Sequence, residues 1–264
     1  MKHKVRGLFS FVLAVGFGGG SCVAYGGENP ALVRTLSQGP NLAVGRLDLG
    51  GEALCTGALI RTDLVLTAAH CLYDKDSGAR IAPQDIEFLA GWHGGHASAI
   101  RTVRRAVHHP AFVFSPDVRT EYIRYDLALL LLQYPISNAE IVPFDVAGVP
   151  NNSKGIEIIS YGNSDQIADA VHQSCALLGQ QQGVILSTCQ VNYGASGAPV
   201  LAQVNGAAHI VSVVSAKAEI EGRPVAMGSA LGPQLRELMA IFERAPSPRA
   251  IGSRPKTGAK FVKP

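Results

Sequence analysis

The sequence predicts an all-β protein built from antiparallel strands, and two observations carry that reading. Between residues 41 and 231 the chain falls into short β-rich apolar runs separated by Gly, Pro, Asn and Asp, with hardly a helical period among them, which is the pattern of antiparallel β structure. With 47% apolar and only 16% charged residues in a chain of 264, it can bury a large core and falls outside the disordered class. So many short strands resolve into a sandwich or into barrels.

Taken in order, strands are predicted at 42–49, 53–61, 64–67, 86–90, 100–107, 127–133, 155–161, 184–190, 199–204, 209–215 and 225–230. Each is an apolar run bounded by turn-forming residues. One segment breaks the pattern: over 233–245, Leu235, Leu238, Met239 and Phe242 recur at helical spacing behind Pro233. It is read as a C-terminal helix laid on the β structure, with proline in its favoured N-terminal place. Around 143–153 the composition turns to Pro, Gly and Asn, a connection between two β-rich lobes at 41–142 and 143–232.

The ends of the chain have their own logic. Lys2, Lys4 and Arg6 precede an apolar run over 8–17, then glycines and small residues up to Ala24, the layout of a secretory signal peptide at 1–24. Cleavage is expected after Ala24, with a short N-terminal segment at 25–40 following it. Cys22 can instead be read as a lipid-anchor cysteine, against which Gly19 stands where the lipobox has an aliphatic residue. The apolar run is too short to cross a bilayer core of about 30 Å, and no later stretch approaches the roughly 20 apolar residues a membrane helix needs. A secreted or periplasmic protein without a membrane span is expected. Residues 246–264 carry Arg249, Arg254, Lys256, Lys260 and Lys263 and no acidic residue, and are read as a flexible basic tail, solvated and without a nucleic-acid partner.

Of the five cysteines, Cys22 leaves with the signal peptide, so Cys55, Cys71, Cys175 and Cys189 meet an oxidising compartment. An even four suggests two disulfides. Three pairings are possible; the two sequence-local pairs close short loops, each adding about 3 kcal/mol if unstrained. Four unpaired buried cysteines are the bland alternative.

Three short segments bear on chemistry. A serine hydroxyl is a weak nucleophile at neutral pH and needs a base beside it, with a third group to hold that base in one tautomer; histidine and a carboxylate meet those needs. It also needs two backbone N–H groups aimed at the developing oxyanion. The turn Gly194-Ala195-Ser196-Gly197-Ala198-Pro199 can supply them, through the N–H groups of Gly194 and Ser196, because Gly194 can take a positive φ and Gly197 lets the chain fold closely behind the serine. In Leu66-Thr67-Ala68-Ala69-His70-Cys71 a β run ends at a histidine, and a disulfide from Cys71 to Cys55 would pin its backbone. In Tyr125-Asp126-Leu127-Ala128-Leu129-Leu130 an aspartate enters a strongly apolar strand. Its burial without a partner would cost several kcal/mol, and a histidine N–H donor would compensate it. Each segment alone has an ordinary structural explanation; the three together do not.

Together they resemble the chymotrypsin-like serine peptidases. The match runs through Cys-x-Gly-x-Leu-Ile from Cys55, Thr-Ala-Ala-His-Cys from Thr67, His109-Pro110, Asp-Leu-Ala-Leu-Leu from Asp126 and Gly-x-Ser-Gly-x-Pro from Gly194, in the family's order of His, Asp and Ser. The resemblance implies two antiparallel six-stranded β-barrels with the active site between them and a C-terminal helix. It assigns His70 as general base and acid, Asp126 as its orienting carboxylate, Ser196 as the acylated nucleophile, and the amides of Gly194 and Ser196 as the oxyanion hole. Ala195 replaces the aspartate that usually precedes the serine, and no Arg-Ile-Val-Gly-Gly site is present, so no insertion-type zymogen switch is expected. The bacterial glutamyl-endopeptidase-like branch is nearest, since a cysteine seven residues before the serine, here Cys189, recurs there; Cys175 is then its partner.

By the same resemblance the substrate pocket is formed by Gln190, Val214, Ser215 and Lys217. Gln190 stands where trypsin-like members have an aspartate, and Val214 where glutamate-specific relatives have a histidine. Small or apolar residues before the scissile bond are therefore expected, with Ser215 pairing with the substrate backbone and Lys217 narrowing the pocket or attracting an acidic side chain. No cofactor and no metal are expected: His93 and His96 in Trp92-His-Gly-Gly-His lack a third ligand nearby in the sequence, and Asp74-Lys-Asp-Ser-Gly has its glycine one place early for a calcium loop. Protein or peptide substrates and a monomer are expected. A hydrolase of the α/β class would need a glycine two residues after Ser196 and the order Ser, acid, His. The stronger alternative is a catalytically inactive homologue acting as a binding protein.

Overall fold

The turn residues that bound each apolar run return the chain on itself, and in the computed structural model they fold it into antiparallel strands with little helix. The described residues are 34–35, 41–51, 53–115, 120–151, 153, 155–162 and 168–244. The expected signal peptide, most of the 25–40 segment and the basic tail lie outside them.

After β1 (Arg34–Thr35), six strands close a first barrel: β2 (Val44–Leu49), β3 (Ala53–Arg61), β4 (Leu64–Thr67), β5 (Ile86–Ala90), β6 (Ala99–His108) and β7 (Ala128–Leu132), in the order β2-β3-β4-β7-β6-β5 with β5 returning to β2. Six more close a second: β8 (Gly155–Ser160), β9 (Val171–Gln181), β10 (Val184–Ser187), β11 (Pro199–Val204), β12 (Ala207–Ile220) and β13 (Arg223–Ala230), in the order β8-β9-β10-β13-β12-β11 with β11 returning to β8. Closure pairs the first and last strands in each barrel's order with one another. β1 joins β9 with Arg34 opposite His172, so the chain pairs with the second barrel before it enters the first.

β4 and β7 are buried at every residue. Both faces of these strands are covered, which is why they read as continuous apolar runs rather than alternating ones. A short helix, α1 (Thr120–Ile123), leads toward β7, and the C-terminal helix α2 runs over Pro233–Arg244. α2 follows the second barrel in sequence, yet Leu235, Leu238 and Phe242 bury themselves in the cluster that contains Leu47, Leu66 and Leu129 of the first. Arg105 holds its C-terminal end, donating to the Phe242 carbonyl at 2.9 Å with its guanidinium 3.9 Å from the Phe242 ring, a favourable cation at a helix C-terminus.

β3, β4, β5 and β11 have the bounds expected of them. β9 was not expected at all, because Gln173, Ser174, Gln180 and Gln181 break its apolar alternation, and only Gln173 and Cys175 along its length are buried. β12 and β13 run beyond the expected 209–215 and 225–230 as a hairpin turning at Glu221 and Gly222, both at positive φ (51° and 74°). That extension carries Lys217, Glu219 and Arg223 among alanines and is mostly exposed. The disulfides are Cys55–Cys71 and Cys175–Cys189, the two sequence-local pairs. Among the described residues no helix is long and apolar enough to cross a membrane.

Candidate active site

His70 lies in a single 3₁₀ turn, Ala69–Leu72, where the chain leaves β4. Cys71 beside it is tied to Cys55 on β3, which fixes the backbone from which the imidazole projects. Asp126 lies between α1 and β7 and is only 3% exposed. Such a carboxylate needs donors, and three reach it: the His70 backbone N–H at 2.8 Å on Oδ1, His70 Nδ1 at 2.7 Å on Oδ2, and the Ser215 hydroxyl at 2.5 Å on Oδ2. With Nδ1–H committed to Asp126, Nε2 of the neutral ring is left as an acceptor. The His70 side chain keeps 30% of its surface exposed, against 4% for Asp126, so the ring opens outward while its partner is sealed.

Electrostatics follow from this packing. Burial lowers the pKa of His70, but the Asp126 charge and hydrogen bond outweigh it and leave the imidazole above its ordinary value. Burial raises the pKa of Asp126, and the His70 charge with the hydrogen bonds from His70 and Ser215 brings it below the usual carboxylate range.

Ser215 reaches Asp126 through a β-bulge. In the β12–β13 ladder Val214 faces Gly228 and Ala216 faces Met227, leaving Ser215 without a partner and its side chain re-aimed. Sequence reasoning gave Ser215 a substrate-pairing place and missed this bond; nothing in the local run Val213-Val214-Ser215-Ala216 marks a bulge.

The serine turn is held from both barrels. Gly194 sits at φ 93° and Gly197 at φ 80°. Thr56 on β3 donates its backbone N–H to the Ser196 carbonyl at 2.8 Å and its hydroxyl to the Gly194 carbonyl at 2.8 Å. Gly197 N–H donates to Val214 O at 2.8 Å. Among the described residues, no protein acceptor takes the N–H of Gly194 or of Ser196, although almost all buried backbone donors find one. A Cβ on Gly197 would lie 2.1 Å from Thr67 Oγ1 and 2.2 Å from the Thr56 carbonyl. Gly197→Ala is therefore expected to cost about 3 kcal/mol or more of stability, from overpacking and a positive φ together, read by urea unfolding; a loss under about 1 kcal/mol would show that the turn yields easily.

His70, Asp126 and Ser196 line one cleft of 590 Å³ between the barrels, with Val214, Ser215 and Lys217 on its wall. Gln190 does not line it: the Gln173 amide brackets its backbone, accepting from Gln190 N–H at 3.2 Å and donating to its carbonyl at 2.8 Å, and the Gln190 side chain is exposed. Val191, Asn192 and Tyr193 take that part of the wall. Lys75, Phe112, Phe114 and Tyr122 also line the cleft and were not singled out from sequence, although an aromatic run after His109-Pro110 outside any predicted strand is a binding-surface signal. In chemical terms the cleft joins the Ser196 hydroxyl to an imidazole with a fixed tautomer.

Comparison with known proteins points the same way. The family model described as Trypsin matches residues 37–227. Serine protease SP24D of Anopheles gambiae is 32% identical over 176 residues, covering 58% of this chain and 60% of that protein. Human serine protease 56 is 38% identical over 96 residues, covering 35% of this chain and 14% of its own length. The chain thus spans less than two thirds of the length of these relatives. Among solved structures, a Glu endopeptidase in complex with MPD superposes with a TM-score of 0.65 at 20% identity, covering 80% of this chain and 96% of that one. The thermostable serine protease AL20 from an extremophilic microorganism gives 0.61 at 14% identity, covering 78% and 99%. At such identities these two likenesses establish the fold.

Proposed function

Because the chain belongs to the trypsin family, we propose that it is an exported, active serine endopeptidase that cleaves peptide bonds through an acyl-enzyme on Ser196. The observation that carries this reading is the 2.7 Å bond between His70 Nδ1 and Asp126 in the same cleft as a serine whose turn offers two unpaired N–H donors. His70 Nε2 takes the proton from the Ser196 hydroxyl as Oγ attacks the scissile carbonyl, then returns it to the leaving amine. Asp126 holds the tautomer and stabilises the imidazolium. The amides of Gly194 and Ser196 receive the oxyanion, each worth about a hundredfold to a thousandfold in turnover. Water repeats the cycle to release the acyl group.

The side chain before the scissile bond meets Val214, 2% exposed, and aliphatic Val191, which favour small or apolar residues, with Lys217 on the same wall. Export is supported by the signal-peptide pattern of the first 24 residues and by the two disulfides, which persist where thiols oxidise. The decisive test is labelling with a fluorophosphonate probe. Stoichiometric modification located on Ser196 by mass supports the proposal, and a folded sample that resists the probe points instead to an inactive binding homologue.

The pH profile provides a second expectation. The base must be neutral to act, so kcat/KM is expected to rise with pH through a midpoint above the usual imidazole value of about 6.5; a midpoint clearly below it would break the link to Asp126. The same pair couples stability to pH. Asp126, with a depressed pKa, contributes stability above about pH 3.9 that is lost as pH falls through its folded value, and His70 contributes below about pH 6.5 stability that is lost as pH rises through its raised value.

A further inference from the structure

The hairpin between β5 and β6 carries Trp92-His93-Gly94-Gly95-His96, a motif the peptidase chemistry does not use. Gly94 and Gly95 both adopt positive φ, 55° and 82°, the conformation of a two-residue hairpin turn that glycine accepts without strain. His93 and His96 are thereby paired directly, each N–H donating to the other's carbonyl at 2.8 and 2.9 Å. Directly opposed residues of an antiparallel pair project their side chains to one face, with Cβ atoms about 5 Å apart.

The group that the sequence lacked nearby comes from the segment before β9. Asp169 places Oδ2 2.9 Å from His93 Nδ1 and accepts the Gly94 N–H on Oδ1 at 2.7 Å. A carboxylate on Nδ1 fixes the tautomer that leaves Nε2 bare, the arrangement that orients metal-binding histidines and raises their basicity. Both imidazoles are exposed and line a recess of 240 Å³ with Trp92 and Tyr161. We propose that His93 Nε2 and His96 bind a divalent transition-metal ion of the zinc, copper or nickel class, with Asp169 as the positioning carboxylate. Imidazole donors favour such ions over calcium or magnesium. Among the described residues the ligand atoms of His93, His96 and Asp169 do not all fall within 4.8 Å of one another, so binding requires the exposed His96 to turn between staggered rotamers.

The site is independent of the peptidase reading. It is tested by calorimetric titration of Zn²⁺ into the tag-free, chelator-stripped chain carrying Ser196→Ala, which prevents autolysis. One saturable event per chain is expected, with a zinc-dependent rise in Tm; both are lost in the chain that also carries His93→Ala and His96→Ala, whose unchanged circular dichroism confirms folding. Asp169→Asn is expected to keep the stoichiometry and weaken the affinity about 10- to 100-fold. Equal zinc binding with and without the two histidines, or none in the folded parent, overturns the proposal.

Discussion

Ser196→Ala is expected to lower peptidase turnover by about 10⁶-fold, the scale seen when a serine nucleophile is removed from such a site, with little change in Tm. The bonds that organise the turn use backbone groups of Gly194, Ser196 and Gly197, and none needs the serine hydroxyl. Ser215 cannot substitute, since its hydroxyl is committed to Asp126. What remains is water attack helped by the oxyanion donors and by binding, a residual of about 10³–10⁴ over the uncatalysed rate. Single-turnover kinetics beside thermal unfolding separate the two effects. A variant that kept more than a hundredth of the turnover would remove Ser196 from the nucleophile's role.

Asp126→Asn is expected to cost on the order of 10⁴ in kcat, because the amide presents a donor to His70 Nδ1 and selects the wrong tautomer. The carboxylate accepts three hydrogen bonds while 3% exposed, so the change also sets donor against donor in a dry site. A stability loss of about 1–3 kcal/mol accompanies it. With the negative charge gone, burial alone acts on His70 and its pKa falls. The residual activity should therefore show an acid limb at lower pH than the parent's, a shift that simple unfolding does not produce. A loss of activity smaller than tenfold would remove Asp126 from its orienting role.

Both variants concern residues that local motifs announced, and the contrast with the rest of the cleft is physical. β3, β4, β5 and β11 were legible because their inward positions are apolar and their ends carry turn formers. β9 was not, since glutamines on a half-exposed strand look like loop until the neighbouring strands supply the pairing. The histidine, aspartate and serine were legible because their three runs, each ordinary alone, occur together and in one order. Ser215 owes its contact to a bulge set by the pairing of two strands, and Asp169 reaches His93 through tertiary folding across 76 positions of numbering; neither leaves a mark in its own segment. Gln190 illustrates the reverse case: an offset counted from Ser196 names a position, while the Gln173 amide decides which way the chain faces there.

Thr56 bears on when the serine turn takes its shape. It belongs to the first barrel, yet its N–H and hydroxyl hold the carbonyls of Ser196 and Gly194 in the second. A chain emerging amino-terminus first can complete β2 to β7 without possessing a nucleophile, and the later strands alone would lack the anchor that shapes the turn. On the proposed function, the competent serine turn then arises only at the docking step that joins the two barrels. If the proposed peptidase activity holds, half-folded copies lack the assembled site and cannot cleave their neighbours.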